Sequence, residues 1–124
     1  MISRVHSVNV VVADQNAALD FYVNVLGFVK AMDMPMGPDA RWLTVMPPGS
    51  TTEVALAPPH WFKNEDMPPK MTGISFVSPD IEATYKTLTD RGVKFKGPLE
   101  KMPWGDMATY FYDLDGNEFF LCAG

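Results

Sequence analysis

The strongest constraint on this 124-residue chain is that it reads twice. Val8-Asn9-Val10-Val11-Val12-Ala13 is short and mostly β-branched, which suits a strand, and Asp14 follows where a side-chain oxygen can cap a helix. From Gln15 onward, Ala18, Leu19, Phe21, Tyr22, Val25 and Leu26 recur at three- and four-residue spacing, the period of one buried helix face. Gly27 stands where a left-handed terminus would end that helix. The second half repeats the grammar. Ile74-Ser75-Phe76-Val77 leads to Pro79-Asp80, and Ile81, Thr84, Tyr85 and Leu88 form a helical stripe that stops at Gly92. Asp14 thus matches Asp80, and Gly27 matches Gly92. Further along, Met34-Pro35-Met36-Gly37 before Asp39 matches Met102-Pro103-Trp104-Gly105 before Asp106.

Behind each helix the pattern changes to short extended segments divided by turn residues: 28–34, 41–46 and 53–57, then 93–95, 107–112 and 118–122. Asp115-Gly116-Asn117 supplies the last hairpin turn. The expected fold class is α+β, with two tandem βαβββ modules in one domain: module one at about 1–57 and module two at about 72–124. The linker, 58–71, carries Pro58, Pro59, Pro68 and Pro69, which cannot donate to a ladder. Its Trp61-Phe62 pair is costly to leave bare in water, so it is expected to pack over a pocket mouth or against a second subunit.

Charge and composition exclude several partners. A net charge of −5 presents a polyanion with a field of the wrong sign, so no nucleic acid is expected. No apolar run approaches the ~20 residues of a membrane helix, and Met1-Ile2-Ser3-Arg4 does not read as a signal peptide. The expectation is a soluble cytoplasmic protein with no membrane partner. Cys122 is the sole cysteine, so no internal disulfide forms, and its apolar strand predicts a buried, inert thiol.

Three stretches carry a family resemblance: Val10-Val11-Val12-Ala13-Asp14 through Phe21-Tyr22 to Leu26-Gly27-Phe28, Asp80-Ile81-Glu82-Ala83-Thr84-Tyr85 to Arg91-Gly92-Val93, and Asp113-Leu114-Asp115-Gly116-Asn117. In this order they resemble the glyoxalase, bleomycin-resistance and extradiol-dioxygenase superfamily, the vicinal-oxygen-chelate fold. Leu114 stands where that family usually has proline. The resemblance implies a curved, partly open mixed-sheet barrel around a pocket, and a homodimer.

In the family's metal enzymes, each opening strand gives a His, Gln or Glu about seven residues before the capping acid, and each module's closing strand gives a Glu. Those positions fall here on Ser7, Gly73, Ala55 and Phe120. None is a plausible ligand, because a divalent ion needs imidazole, carboxylate or thiolate donors. No metal and no cofactor is therefore expected. His6 lies one residue from a ligand position, but in a strand that offset turns a side chain to the other face unless a bulge re-aims it.

Alternation puts Asn9 on the face of Ser7 and Ser75 on the face of Gly73, so small polar groups replace metal ligands. With Trp42, Trp104 and Phe120 these form the candidate ligand-binding set. Met32, Met34, Met36, Met46, Met102 and Met107 add adaptable, polarizable surface. Glu53 and Glu118 hold equivalent places in the repeat, two residues before Ala55 and Phe120. They are the candidate acid–base pair or counter-ions to a cationic ligand, unless they lie at strand ends in solvent. Three functions remain in competition. The first is metal-free binding or sequestration of a small molecule. The second is an enzyme of the same fold, either a metal-dependent lyase or dioxygenase using unexpected ligands such as His6 with Glu53 or Glu118, or a metal-free isomerase using those carboxylates. The third is an interaction module whose pocket is filled by its own side chains.

Overall fold

A computed structural model describes residues 1–124 and divides them into two compact units, Met1–Pro68 and Pro69–Gly124. The fold class is α+β, with one open mixed sheet in each unit and no closed barrel.

In the first unit, β1 (Ser7–Val11) runs into α1 (Gln15–Asp20), followed by β2 (Val29–Pro35), β3 (Arg41–Met46) and β4 (Glu53–Ala57). Sheet order is β1-β4-β3-β2, with β1 parallel to β4 and the other pairs antiparallel. Asp14 caps α1 as its position predicts, accepting from the amides of Asn16 and Ala17 at 2.9 and 3.1 Å. A cap of this kind is worth about 1 kcal/mol. Beyond Asp20 the helix widens into a π turn, Phe21–Val25, and the Leu26 amide donates to Phe21 O. Gly27 then takes φ 80°, ending the helix in the left-handed region. Val10, Leu43, Val45, Val54, Leu56, Ala18 and Tyr22 are buried. Each Val or Leu contributes about 1.5–3 kcal/mol of burial. Gln15 fastens helix to sheet, its Nε2 donating to Arg41 O and Leu56 O, both at 2.8 Å.

The second unit holds β5 (Met71–Ser78), α2 (Ile81–Asp90), β6 (Lys94–Phe95), β7 (Glu100–Lys101), β8 (Met107–Tyr112) and β9 (Glu118–Ala123). Sheet order is β5-β9-β8-β6, with β7 also paired to β8 and β5 parallel to β9. One side of this sheet is an aromatic core. Phe76, Phe111 and Phe119 meet at centroid distances of 5.2–6.2 Å, and Tyr85 of α2 packs on Phe95 at 4.5 Å.

The strand limits differ from the sequence reading in places with identifiable causes. The first strand lies at Ser7–Val11 rather than 8–13, because Glu53 N donates to His6 O and so starts the parallel pairing earlier. β7 is absent from that reading. It and β6 together occupy the place that the single β2 fills in the first unit, and Gly97-Pro98 splits them because Pro98 has no amide to give the ladder. Thr109 Oγ1 donates to Gly97 O at 2.9 Å and satisfies the carbonyl at the break. Residues 58–70 form no strand, only two 3-10 turns at Pro59–Trp61 and Asn64–Asp66. Trp61 stacks on Trp42 within the first unit, 6.4 Å between centroids and 12° from parallel.

Candidate functional site

The side of the second sheet opposite the aromatic core forms a concavity of about 400 Å³. It is built by strand alternation. Met71, Gly73 and Ser75 of β5 face the same way as Glu118 and Phe120 of β9, and Tyr110 of β8 is the cross-strand partner of Phe120. Tyr110 and Phe120 pack ring against ring at 5.0 Å. Trp104 lines one end from the β7–β8 turn, where Gly105 N donates to Met102 O at 2.8 Å, and the tryptophan is 62% exposed as a residue.

Gly73 shapes the wall. It takes φ 71° where the β5–β9 register shifts between Met71 and Ser75, a bulge in the strand. Thr72 spans the bulge, its hydroxyl donating to Glu118 O at 2.7 Å and accepting from Ile74 N at 3.1 Å. A Cβ at Gly73 would meet nothing within 4 Å, so the missing side chain leaves open space in the concavity.

Glu118 is the one charged side chain on that wall. It is 8% exposed as a residue. Lys96 Nζ stands 3.8 Å from its Oε2, and the same ammonium lies 5.2 Å from the Tyr110 ring centroid. The Tyr112 phenol is pushed above its ordinary value, first by withdrawal from water and then by its hydrogen bond to Glu118 and that carboxylate's charge. A second concavity of about 230 Å³ lies along the interrupted β6–β7 edge, lined by Lys96, Met102 and Thr109 among others, and Tyr110 borders both.

The first-unit candidates form their own group. Ser7 pairs with Glu53 and Asn9 with Ala55, and Ala55 faces Thr44 across the sheet. Glu53 accepts from Thr44 Oγ1 at 2.5 Å and lies 3.9 Å from His6 Nε2. His6 meets this carboxylate because it precedes β1, where strand alternation does not fix the side chain's direction. Trp42 is engaged with Trp61 rather than standing bare.

Five of the candidates, Gly73, Ser75, Trp104, Glu118 and Phe120, therefore share one concavity. Ser7, Asn9, Trp42 and Glu53 lie in the first unit. Neither glutamate is freely solvated at its strand end: their side chains are 16% and 10% exposed. The methionines do not gather. Met32, Met34 and Met36 are exposed on or just after edge strand β2, while Met102 lines the smaller concavity. Cys122 is only half-buried, its thiol directed at Phe76 O at 3.5 Å, because it sits on the open side of β9. Tyr110, Lys96 and Tyr112 are absent from the sequence reading. Tyr110 was within reach of it: Tyr110 and Phe120 are equidistant from Asp115, so the hairpin turn sets them opposite each other.

The donor set does not fit a divalent metal. The positions that hold ligands in the resembled metal enzymes carry a hydroxymethyl, a methyl, a hydrogen and a phenyl group, at Ser7, Ala55, Gly73 and Phe120. No group of three His, Cys, Asp or Glu side chains converges elsewhere, and His6 with Glu53 makes only two.

The model of the Glyoxalase/Bleomycin resistance protein/Dioxygenase superfamily matches residues 4–121. A superfamily member from Sphaerobacter thermophilus DSM 20745 is 52% identical, with TM-score 0.93 over 99% of this chain and 98% of that one. TnmS3, an antibiotic binding protein from Streptomyces sp. CB03234, is 37% identical, with TM-score 0.85 over 98% of this chain and 96% of its own. YetH of Bacillus subtilis (strain 168) is 38% identical over 121 residues, 98% of each chain. By the family match, this chain belongs to the Glyoxalase/Bleomycin resistance protein/Dioxygenase superfamily.

Proposed function

We propose that this chain binds and sequesters a small, flat, largely apolar organic molecule on the open side of its second sheet, without a metal and without converting it. The observation that carries the reading is the aromatic-walled concavity of about 400 Å³, which is within the ordinary size of ligand pockets. Trp104, Tyr110 and Phe120 offer ring faces. Trp104 and Tyr110 are exposed large apolar groups for which a bound ring would replace water. Metal chemistry is set aside on the donor set, since Gly73 and Phe120 bring no lone pair to this wall. The likeness to an antibiotic binding protein supports the same reading. We take the working form to be a cytoplasmic homodimer, which light scattering on the eluted protein tests.

The test is a fluorescence titration with acridine, a neutral three-ring probe in mildly alkaline buffer. Saturable binding is expected. Trp104→Ala removes one stacking face worth roughly 0.5–1.5 kcal/mol, and so weakens binding by about two- to tenfold. Mass spectrometry of the recovered probe should show it unchanged. Failure of acridine and other flat probes to bind at all overturns the reading, as does affinity indifferent to Trp104.

A further inference from the structure

We propose that Glu118 selects the ligand: the site takes a flat aromatic molecule that carries a protonated amine or amidine at its edge, and rejects the same ring bearing a carboxylate. The proposal rests on the binding reading above and assigns it a chemical class.

Glu118 is an acidic side chain nine-tenths withdrawn from water, on the wall of a concavity otherwise lined by uncharged groups. An ionised carboxylate offers about four acceptor sites. Its interactions here are with the Tyr112 phenol and with Lys96, and neither of those residues lines the concavity. At 3.8 Å the Lys96 ammonium is beyond hydrogen-bond reach, its side chain is 56% exposed, and it lines the smaller concavity rather than this one. An ion pair of that exposure is weak. Desolvated acceptor capacity is therefore directed at the bound molecule, and a cationic N–H donor is the group that satisfies it best. An anion would be forced against a carboxylate with little water to screen the two charges. The neighbouring rings suit the same molecule, because Trp104 and Tyr110 present π faces that attract cations as well as stack on rings.

The experiment compares three probes of one shape in mildly alkaline buffer: 9-aminoacridine, a cation; acridine, neutral; and acridine-9-carboxylate, an anion. A charge-assisted hydrogen bond of about 1.5–3 kcal/mol corresponds to roughly ten- to hundredfold in affinity. The cation is expected to bind tighter than acridine by that factor, and the anion at least tenfold weaker. Glu118→Gln should bring the three probes within about threefold of one another. Glu82→Gln, which removes an equal charge from the exposed first turn of α2, should preserve the order and so exclude attraction by the acidic surface at large. Lys96→Met, which removes the competing ammonium, should tighten the cation further and keeps the test open if Glu118→Gln does not fold. Equal binding of the three probes overturns this inference alone. An order unchanged in Glu118→Gln, or lost in Glu82→Gln, overturns it as well. Failure of all three to bind overturns the binding reading and this one together.

Discussion

Replacement of Gly73 separates what the bulge in β5 requires of the backbone from what it leaves open to a ligand. Gly73 holds φ 71°, and an added Cβ would meet nothing within 4 Å. A clash therefore contributes nothing to the cost of Gly73→Ala. What remains is the left-handed backbone, unfavourable by about 1–2 kcal/mol for an L-residue with a Cβ. In a chain of this size 1 kcal/mol moves Tm by roughly 3–5 °C, so Gly73→Ala should lower Tm by roughly 3–10 °C. Asparagine visits this region more readily, so Gly73→Asn should lose less than about 1 kcal/mol. Its larger side chain would nevertheless project into the concavity and weaken acridine binding more than Gly73→Ala does. Stability and affinity would then rank the two variants in opposite orders. Circular dichroism melts and fluorescence titrations on the same preparations read both. A Gly73→Ala protein as stable as the parent would refute the strain argument, and a Gly73→Asn protein binding acridine at parental affinity would remove Gly73 from the wall.

Three further outcomes are expected. Asp113 is buried and its carboxylate accepts from the Asp115 and Asn117 amides and from Asn117 Nδ2, so Asp113→Ala removes the acceptor of three hydrogen bonds at the β8–β9 turn and should cost about 2–4 kcal/mol, read by urea denaturation. Asp14→Ala should cost about 1 kcal/mol in the same assay through loss of the α1 cap, with little effect on probe affinity. In alkaline absorbance titration Tyr112 should ionise above the ordinary tyrosine range. Since the unfolded chain loses that proton first, the contribution is intact below about pH 10 and stability falls as pH rises through the folded value; Glu118→Gln should reduce the upward shift.

Much of the architecture was legible because it is written twice in local signals. Asp14 and Asp80 cap their helices, Gly27 and Gly92 adopt positive φ, and Asp113 to Asn117 make the turn that sets the last hairpin. The parts that were not legible depend on pairing. β7 is two charged residues whose strand character exists only against β8. The π turn at Phe21–Val25 keeps the same apolar residues as a regular helix and leaves no mark in the sequence. Gly73 read as an emptied ligand position, and its role in a bulge required knowledge of the β5–β9 register. Among the site residues, Gly73, Ser75, Glu118 and Phe120 were found by alternation on β5 and β9, and Tyr112, which pairs with Glu118 across the last hairpin, was within reach in the same way as Tyr110; Lys96 meets Glu118 only through the pairing of β6, β8 and β9. The methionines misled because composition indicates what side chains could line a pocket, not where the sheet carries them.

Ligand binding on the open side of the second sheet is tested most directly by a crystal structure of the protein soaked with acridine. The three-ring plane is expected to lie within the second-unit concavity, stacked against Trp104 or Tyr110 and resting over Gly73 and Phe120. Acridine bound elsewhere in crystals where that concavity is open, or the concavity closed by the protein's own side chains, would contradict it.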